Sequence, residues 1–332
     1  MRAHDPTVSE IPDRARAVVC PGPLKGVLSA AAASRALAAG LARSGVEVDQ
    51  APMADGGEGT AEALRASLDG EWRRASVSDP FGRPVEAPFA LLPDGRAVIE
   101  AAAAIGLALL DGDELDPVRA SSRGLGELIV AAQDAGASGL IVGLGDSATV
   151  DGGAGLREVV GALPAGTLVA CDVANPLLGT RGAARAFGPQ KGASSAEVEE
   201  LERRLASDPA LEPYADLPGA GAAGGVGAAL ASLGGTLVPG SELVAEAIGL
   251  RERLRGVPLV VTGEGTVDAA SREGKVTGLV ASLAAEAGVR CVVFGGRVEA
   301  GLPSAECVAL SGDPSRAEAD LEELGERLGR EV

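Results

Sequence analysis

The chain has 332 residues, of which 46% are hydrophobic and only 2% aromatic, and its formal net charge at neutral pH is −18. A chain of this length suits two domains rather than one. Nucleic acids and anionic membrane surfaces carry negative charge themselves, so the acidic composition argues against either as a partner.

Targeting signals and reactive side chains are few. No stretch reaches the roughly 18 apolar residues of a membrane span, and the N-terminal sequence lacks the apolar core of a signal peptide, so we expect a cytoplasmic protein. The four cysteines lie far apart in apolar runs, which predicts buried thiols rather than a metal cluster. The one histidine, His4, lies in a polar tail, which leaves acid–base chemistry to carboxylates or lysines.

Both ends of the chain alternate short apolar runs with Ala-rich helical patterns. This βα rhythm predicts a doubly wound, mostly parallel α/β sheet of the Rossmann or flavodoxin-like type. The predicted strands are residues 15–22, 46–53, 257–265, 290–296 and 306–312, and the predicted helices are 29–45 with Ser29 as N-cap, 274–288 and 315–329.

The middle of the chain has a different pattern. Residues 71–102 contain Pro and Gly turns between short alternating segments, which favours antiparallel strands, whereas 138–163 predicts a strand, a Gly loop and a helix. The Gly-rich segment 216–235 fits a helix start better than a linker. We therefore predict an α/β domain from residues 14–70 and 240–332, an inserted α/β domain with a mixed sheet from 71–239, and a disordered tail at 1–13.

Three acidic, Gly-rich loops follow predicted strands: "ADGGEGT" at 54–60, "GDSATVDGGAG" at 145–155 and "TGEGTVD" at 262–268. Ligands of open α/β sheets bind beyond the carboxyl ends of the strands. One such loop is better explained as a turn with a helix cap, but three of them make a shared cleft equally plausible. None of these three loops contains a P-loop or a well-formed G-x-G-x-x-G dinucleotide motif.

Several longer motifs resemble the type I glycerate kinase family. They are "PMADGGEGT" at 52–60, the loop at 143–155, "ACDVANPLLGTRGAARAFGPQKGA" at 170–193, "DLPGAGAAGGVGAAL" at 216–230 and "TGEGTVD" at 262–268, in the order of that family. The resemblance implies phosphorylation of glycerate by ATP with Mg²⁺, with 2-phosphoglycerate as the favoured product. It also implies two α/β domains, one inserted into the other.

For a kinase of this family, the candidate residues divide by role. The candidate catalytic residues are Asp55, Asp172, Lys191 and Asp268, and Asp55 and Asp172 are also the candidate Mg²⁺ ligands. The candidate substrate- and phosphate-binding residues are Lys25, Gly56, Gly57, Ser147, Thr149, Asp151, Gly152, Gly153, Asn175, Glu264 and Lys275.

Structural roles compete with several of these assignments. Asp55 and Asp151 could form turns, Asn175 could fix the turn before a proline, and Glu264 could cap a helix. Glu58 is best explained as an acid at a helix start. The general base stays open among the three candidate aspartates.

The chain departs from the usual family pattern at several positions. They include Gly22, Pro23, Val27, Ile105, Arg123, Leu125, Asp146, Val150, Thr266 and Ala270. Most of the changes remove polar groups, although Arg123 could restore a positive charge.

A glycerate kinase is our first functional hypothesis. The alternatives are a paralogue that binds a nucleotide or small acid with little turnover, and a kinase for another small hydroxy acid. A homodimer is compatible with all three.

Overall fold

The computed structural model describes residues 16–272 and 275–332, so the predicted tail at 1–13 and His4 lie outside the described residues. The chain forms two compact units. The terminal unit comprises residues 16–51, 251–269 and 280–332, and the inserted unit comprises 52–250 and 270–279, apart from 273–274.

The units divide at other points than the predicted domain boundaries. Residues 52–70, 240–250 and the described part of 270–279 are predicted in the terminal domain but belong to the compact inserted unit. The reason is packing, because the helix at 60–67 packs on strands of the inserted unit and on the helix at 240–247. The first acidic loop therefore belongs to the inserted unit.

The strands and helices follow one another along the chain with short connections. The strands are β1 (Arg16–Val19), β2 (Glu47–Gln50), β3 (Glu71–Ser78), β4 (Pro84–Leu91), β5 (Arg96–Glu100), β6 (Gly139–Gly143), β7 (Leu168–Ala170), β8 (Thr236–Val238), β9 (Leu259–Val267), β10 (Arg290–Val298) and β11 (Glu306–Ala309). The α-helices are α1 (Ala30–Arg43), α2 (Thr60–Ser67), α3 (Ala102–Ile105), α4 (Arg123–Asp134), α5 (Ala154–Val159), α6 (Ala183–Phe187), α7 (Ser195–Ala206), α8 (Ala222–Ser232), α9 (Gly240–Ala247), α10 (Leu250–Arg253), α11 (Val276–Ala287) and α12 (Ala317–Gly329).

The terminal unit contains a five-stranded sheet in the order β2-β1-β9-β10-β11, and every neighbouring pair is parallel. Valine-rich runs favour strands that are covered on both sides. Val19 and Val261 contact the α1 and α12 side, while Val18 on the opposite face is also fully buried. This arrangement confirms the predicted doubly wound, mostly parallel sheet. Helix α1 begins as predicted, because the Ser29 hydroxyl accepts a hydrogen bond from the amide of Ala32 (3.2 Å).

The inserted unit contains a six-stranded mixed sheet in the order β3-β4-β5-β6-β7-β8. The pairs β3–β4 and β4–β5 are antiparallel, and β5 to β8 are parallel. The prediction of antiparallel strands at 71–102 is therefore confirmed. Phe89, Ile99 and Leu128 form part of the core between this sheet and α4.

The four cysteines are free: Cys20, Cys171 and Cys291 are buried and Cys307 is half-buried. Burial raises the pKa of the Cys291 thiol to about 12, which keeps it protonated and unreactive at neutral pH. Among the residues that the structure describes, no helix is long and apolar enough to cross a membrane.

Helices α1 and α12 cross with their backbones in contact. A Cβ atom added at Gly40 would lie 2.1 Å from the carbonyl oxygen of Glu322, and one added at Gly325 would lie 2.5 Å from that of Leu37. Both distances are below any real contact, so these two glycines set the distance between the helices. The small side chain is required here by packing, although glycine weakens a helix.

Gly40→Ala tests this packing. Alanine has the higher helix propensity by about 1 kcal/mol, but its methyl group must displace the backbone of α12, so we expect a net loss of about 1–3 kcal/mol in the free energy of unfolding. Urea denaturation measures the change. The control is Ala39→Gly at the adjacent exposed position of α1, which reports propensity without the clash; a stabilised Gly40→Ala protein would contradict the account.

Candidate active site

The loops of the inserted unit that carry candidate residues meet at one edge of its sheet. Strands β6, β7 and β8 are parallel neighbours, so their carboxyl ends lie side by side. The loop 144–153 follows β6, Asp172 lies two residues after β7, and helix α9 begins two residues after β8. This is the edge where ligands of open α/β sheets bind.

Glycines allow the "ADGG" loop to pack against these strand ends. A Cβ atom would lie 2.6 Å from the Ala170 carbonyl oxygen if added at Gly56, 2.4 Å from the Gly56 oxygen if added at Gly143, and 2.2 Å from the Asp55 oxygen if added at Gly240. Side chains at any of these positions would push the loop away from the sheet. The loop composition thus positions Asp55 at the ends of β6 and β7.

Asp55 and Asp172 are held near each other by backbone amides. Gly57 donates to Asp55 Oδ1 (3.1 Å), and Gly240 and Ser241, at the start of α9, donate to Asp172 Oδ1 (2.6 and 3.2 Å). Asp172 keeps an exposed edge. Partial burial raises the pKa of its carboxyl to about 6, and the charge of Asp55 adds to the increase against the lowering effect of the α9 amides. Asp55 and Asp172 therefore lie near each other at a site that solvent can reach.

A third carboxylate, Asp146, lies beside the same loop. A Cβ atom added at Gly57 would lie 3.1 Å from Asp55 Oδ1 and 3.7 Å from Asp146 Oδ2, so both side chains flank this glycine. Asp146 has a positive φ of 52°, a conformation that glycine adopts at lower cost. The substitution at this family glycine position thus adds negative charge next to Asp55.

Lys191 is buried, at 3% exposure, and its ammonium group donates to Ser147 Oγ (3.0 Å) and to the carbonyl oxygen of Thr149 (2.8 Å). Burial lowers its pKa to about 7, and the charge of Asp151 opposes this decrease. The Thr149 hydroxyl is also buried, without a hydrogen-bond partner among the described residues. The side chain of Lys191 therefore connects the turn that contains it to the loop 144–153.

Asp151 accepts hydrogen bonds that hold two helix starts together. Its oxygens accept from the amides of Gly153 (3.0 Å) and Gly155 (3.1 Å) and from both the amide and hydroxyl of Ser122 (2.8 Å each). The amide of Gly152 donates to the Gly224 carbonyl (3.1 Å). A ligand would have to displace these acceptors to reach the amides of Gly152 and Gly153.

Asn175 has the structural contact that its turn position suggested. Its side-chain amide donates to the carbonyl oxygen of Arg181 (2.7 Å), and its own carbonyl accepts from Gly221 (2.9 Å). This second bond anchors the start of the Gly-rich helix α8, as "DLPGAGAAGG" predicted.

The remaining candidates belong to other segments of the chain. Lys25, Glu264 and Asp268 belong to the terminal unit: Lys25 is exposed in the turn after β1, Glu264 is half-buried in β9 and Asp268 follows β9 directly. Lys275 is half-buried immediately before α11. Glu58 is exposed, two residues before α2.

The residues that depart from the family pattern lie in different environments. Arg123 forms ion pairs with Glu127 (2.9 Å) and Glu158 (3.1 Å), so its charge is already matched on helices α4 and α5. Ile105 and Val150 are buried in apolar clusters. The side chain of Ala270 lies outside the described residues.

Sequence reasoning missed Glu100, at the end of β5. Its carboxylate accepts from the amide of Ala61 (2.7 Å) at the start of α2, so it anchors the helix that follows the "ADGG" loop. Burial raises its pKa to about 7, the charges of Glu58 and Glu62 add to the increase, and the amides of Ala61 and Gly59 oppose it. The sequence does contain a signal for this residue, since the apolar run "RAVIE" of β5 ends in a glutamate.

The glycerate kinase family profile matches residues 17–168 and 165–312. "Glycerate 2-kinase" of Escherichia coli K12 is 41% identical over 309 residues, covering 80% of this chain and 81% of that protein. "Glycerate kinase" of Bacillus subtilis 168 is 38% identical, covering 78% of each chain. A solved structure from Salmonella typhimurium LT2, described as a candidate glycerate kinase 2, superimposes with a TM-score of 0.83 at 31% identity, covering 96% of this chain and 98% of the other.

The raised pKa of Glu100 makes stability depend on pH. The folded protein holds this proton up to about pH 7, whereas an unfolded glutamate loses it near pH 4.3. The free energy of unfolding should therefore fall as the pH rises between these values. Glu100→Gln keeps an acceptor for Ala61 but cannot ionise, so we expect it to be about 1–3 kcal/mol more stable than the wild type at pH 8.

Denaturant unfolding from pH 5 to pH 8 measures this difference. Glu86→Gln, on the exposed side of β4, is the matched control and should follow the wild-type pH profile. Identical profiles for Glu100→Gln and the wild type would contradict a buried, protonated Glu100.

Proposed function

Because this chain belongs to the glycerate kinase family, we propose that it transfers the γ-phosphoryl group of ATP to a hydroxyl group of glycerate, giving 2-phosphoglycerate. A kinase of this family acts on a small molecule and uses a nucleotide as the second substrate. The observation that carries the proposal is the pair of carboxylates, Asp55 and Asp172, at the carboxyl ends of the parallel strands β6 and β7.

The carboxylate pair fits Mg²⁺. Mg²⁺ prefers oxygen ligands, keeps several waters, and is commonly held by one or two carboxylates together with substrate phosphates. The described residues contain no group of three or more His, Cys, Asp or Glu side chains that could hold a metal ion. Burial is the main cause of the raised pKa of Asp172, and the charge of Asp55 adds to it; a bound cation would offset that repulsion.

The chemistry is an in-line phosphoryl transfer. The glycerate hydroxyl oxygen forms a bond to the γ-phosphorus, the bond from that phosphorus to the bridging oxygen breaks, and ADP leaves with the electron pair. The hydroxyl proton passes to a carboxylate of the site. Mg²⁺ supplies charge neutralisation at the phosphate oxygens, and Asp55 and Asp172 are the residues that would hold it.

Lys191 supports this site by positioning its loop. Its two hydrogen bonds, to Ser147 and to the Thr149 carbonyl, fix the loop 144–153 next to the carboxylates. Deep burial makes the ammonium group poorly suited to meet a phosphate directly. The loop hydroxyls of Ser147 and Thr149 remain proposed contacts for glycerate or phosphate oxygens, and the roles of Lys25, Glu264, Asp268 and Lys275 remain predictions.

The direct test is ATP consumption with Mg²⁺ over a panel of small hydroxy acids, with D-glycerate as the reference. Asp55→Asn removes half of the carboxylate pair, so we expect kcat/KM for glycerate to fall at least about 100-fold, which corresponds to about 2.7 kcal/mol of transition-state stabilisation. Asp113→Asn, at an exposed position of the same unit, should leave the rate unchanged. ³¹P NMR of the product identifies the hydroxyl that is phosphorylated.

The other outcomes decide between the alternatives. Binding of ATP without turnover on any acid would favour the paralogue without kinase activity. Turnover on another acid but not on glycerate would favour a kinase with a different substrate. Full activity in Asp55→Asn would overturn the assignment of the carboxylate pair while leaving the kinase activity intact.

We also propose a cellular location and an oligomeric state for the enzyme. The acidic composition and the free, mostly buried cysteines support a cytoplasmic enzyme. The homodimer remains a prediction, which light scattering coupled to size-exclusion chromatography would test.

A further inference from the structure

Helix α2, which directly follows the loop that contains Asp55, has no side-chain cap at its own N-cap position. That position is Gly59, whose φ of 91° lies in the left-handed region and favours glycine. The first amides of any helix have no acceptor within the helix. The start of α2 therefore depends on an acceptor from another part of the chain.

Glu100 supplies this acceptor from 39 residues further along the chain. It is the last residue of β5, and its carboxylate accepts a hydrogen bond from the amide of Ala61 at 2.7 Å. Burial raises the pKa of this carboxyl, and the amides of both Ala61 and Gly59 oppose the increase. A carboxylate is a favourable partner for a helix N-terminus, where the amides carry partial positive charge. Glu100 thus joins the start of α2 to the end of β5.

The neighbouring strand β6 contacts the same segment at a second point. Glu100 and Gly143 are register partners in the parallel pair β5–β6, so they lie side by side at the sheet edge. A Cβ atom added at Gly143 would lie 2.4 Å from the carbonyl oxygen of Gly56. Residues 56–61 are therefore held to this edge at both ends, by β6 at Gly56 and by Glu100 at Ala61.

The segment between these two contacts orients Asp55. The amide of Gly57 donates to Asp55 Oδ1 (3.1 Å), and the carbonyl oxygen of Gly57 accepts from the hydroxyl of Thr60 (2.8 Å). Three of the four residues at 56–59 are glycine, which restricts the backbone less than any other residue. The orientation of Asp55 thus depends on contacts at the two ends of the segment rather than on its own stiffness.

We propose that Glu100 is a positioning residue for phosphoryl transfer, which holds Asp55 in its metal-binding orientation by accepting the hydrogen bond from Ala61. The inference rests on the proposed kinase function, in which Asp55 holds Mg²⁺. A side-chain cap within the loop would stabilise the helix alone. An acceptor on β5 also fixes the helix start relative to the sheet that carries Asp172.

Three substitutions separate the acceptor of Glu100 from its volume. Glu100→Gln keeps an acceptor oxygen, Glu100→Met keeps the chain length without one, and Glu100→Ala removes both. We expect kcat to fall about tenfold in the Met and Ala variants, with KM for glycerate changed less than about twofold, because the acid itself is bound as before. Glu100→Gln should keep the wild-type kcat.

Thermal unfolding checks that each variant folds, and either folded variant without an acceptor decides the outcome. Glu86→Met, on the exposed side of β4, is the matched control and should keep both kinetic constants.

Two further readouts do not need turnover. The Kd of Mn²⁺ in the presence of ATP, measured by electron paramagnetic resonance, should rise about fivefold in Glu100→Met and stay unchanged in Glu100→Gln. Hydrogen exchange of the peptide that contains residues 56–62 should be faster in the Met variant alone. In an Asp55→Asn background, Glu100→Met should raise the Kd no further, because it acts through Asp55.

The positioning role would be overturned by wild-type kcat and Mn²⁺ affinity in the Met and Ala variants, or by equal losses in Glu100→Gln and Glu100→Met. An undiminished effect of Glu100→Met in the Asp55→Asn background would overturn it as well. A wild-type protein without turnover would instead overturn the kinase proposal, while the Mn²⁺ and hydrogen-exchange series would still test whether Glu100 positions Asp55.

Discussion

The proximity of two negative charges is the constraint on which the site of the inserted unit depends. Burial raises the pKa of Asp172 to about 6, and Asp55 lies near enough for its charge to add to this increase. Such a pair costs free energy unless a cation or hydrogen-bond donors offset it. Gly57, Gly240 and Ser241 supply donors through their backbone amides, and the remaining repulsion is what a divalent cation would relieve. The local fold therefore maintains an arrangement that the proposed cation would stabilise.

Glycine is the means by which the backbone brings these charges together. The "ADGG" loop, the end of β6 and the start of α9 approach so closely that a single methyl group at Gly56, Gly143 or Gly240 would collide with backbone atoms. The space around an added Cβ atom distinguishes two kinds of glycine in this chain. Most glycines at contacts are required by packing, whereas Gly265, in β9, has open space where the fold would accept a side chain.

The sequence predicts the two sheets well because its signals are local. Alternating apolar runs and helical patterns predicted the parallel sheet of the terminal unit, and the Pro and Gly turns at 71–102 predicted the antiparallel strands. Contacts between distant segments carry no such signal. Nothing local shows that the loop at 52–59 packs on the inserted sheet, or that Asp151 accepts from Ser122, 29 residues earlier in the chain. The burial of Lys191 likewise follows only from the packed structure.

A double-mutant cycle on metal binding tests the central claim, that Asp55 and Asp172 hold one divalent cation together. Mn²⁺ is the paramagnetic probe, and electron paramagnetic resonance measures its Kd in the presence of ATP for the wild type, Asp55→Asn, Asp172→Asn and the double variant. We expect each single substitution to raise the Kd of Mn²⁺ about tenfold or more. The Kd of the double variant should rise far less than the product of the two single effects, because neighbouring ligands of one ion are coupled. Full additivity, or wild-type affinity in either single variant, would contradict a shared metal site.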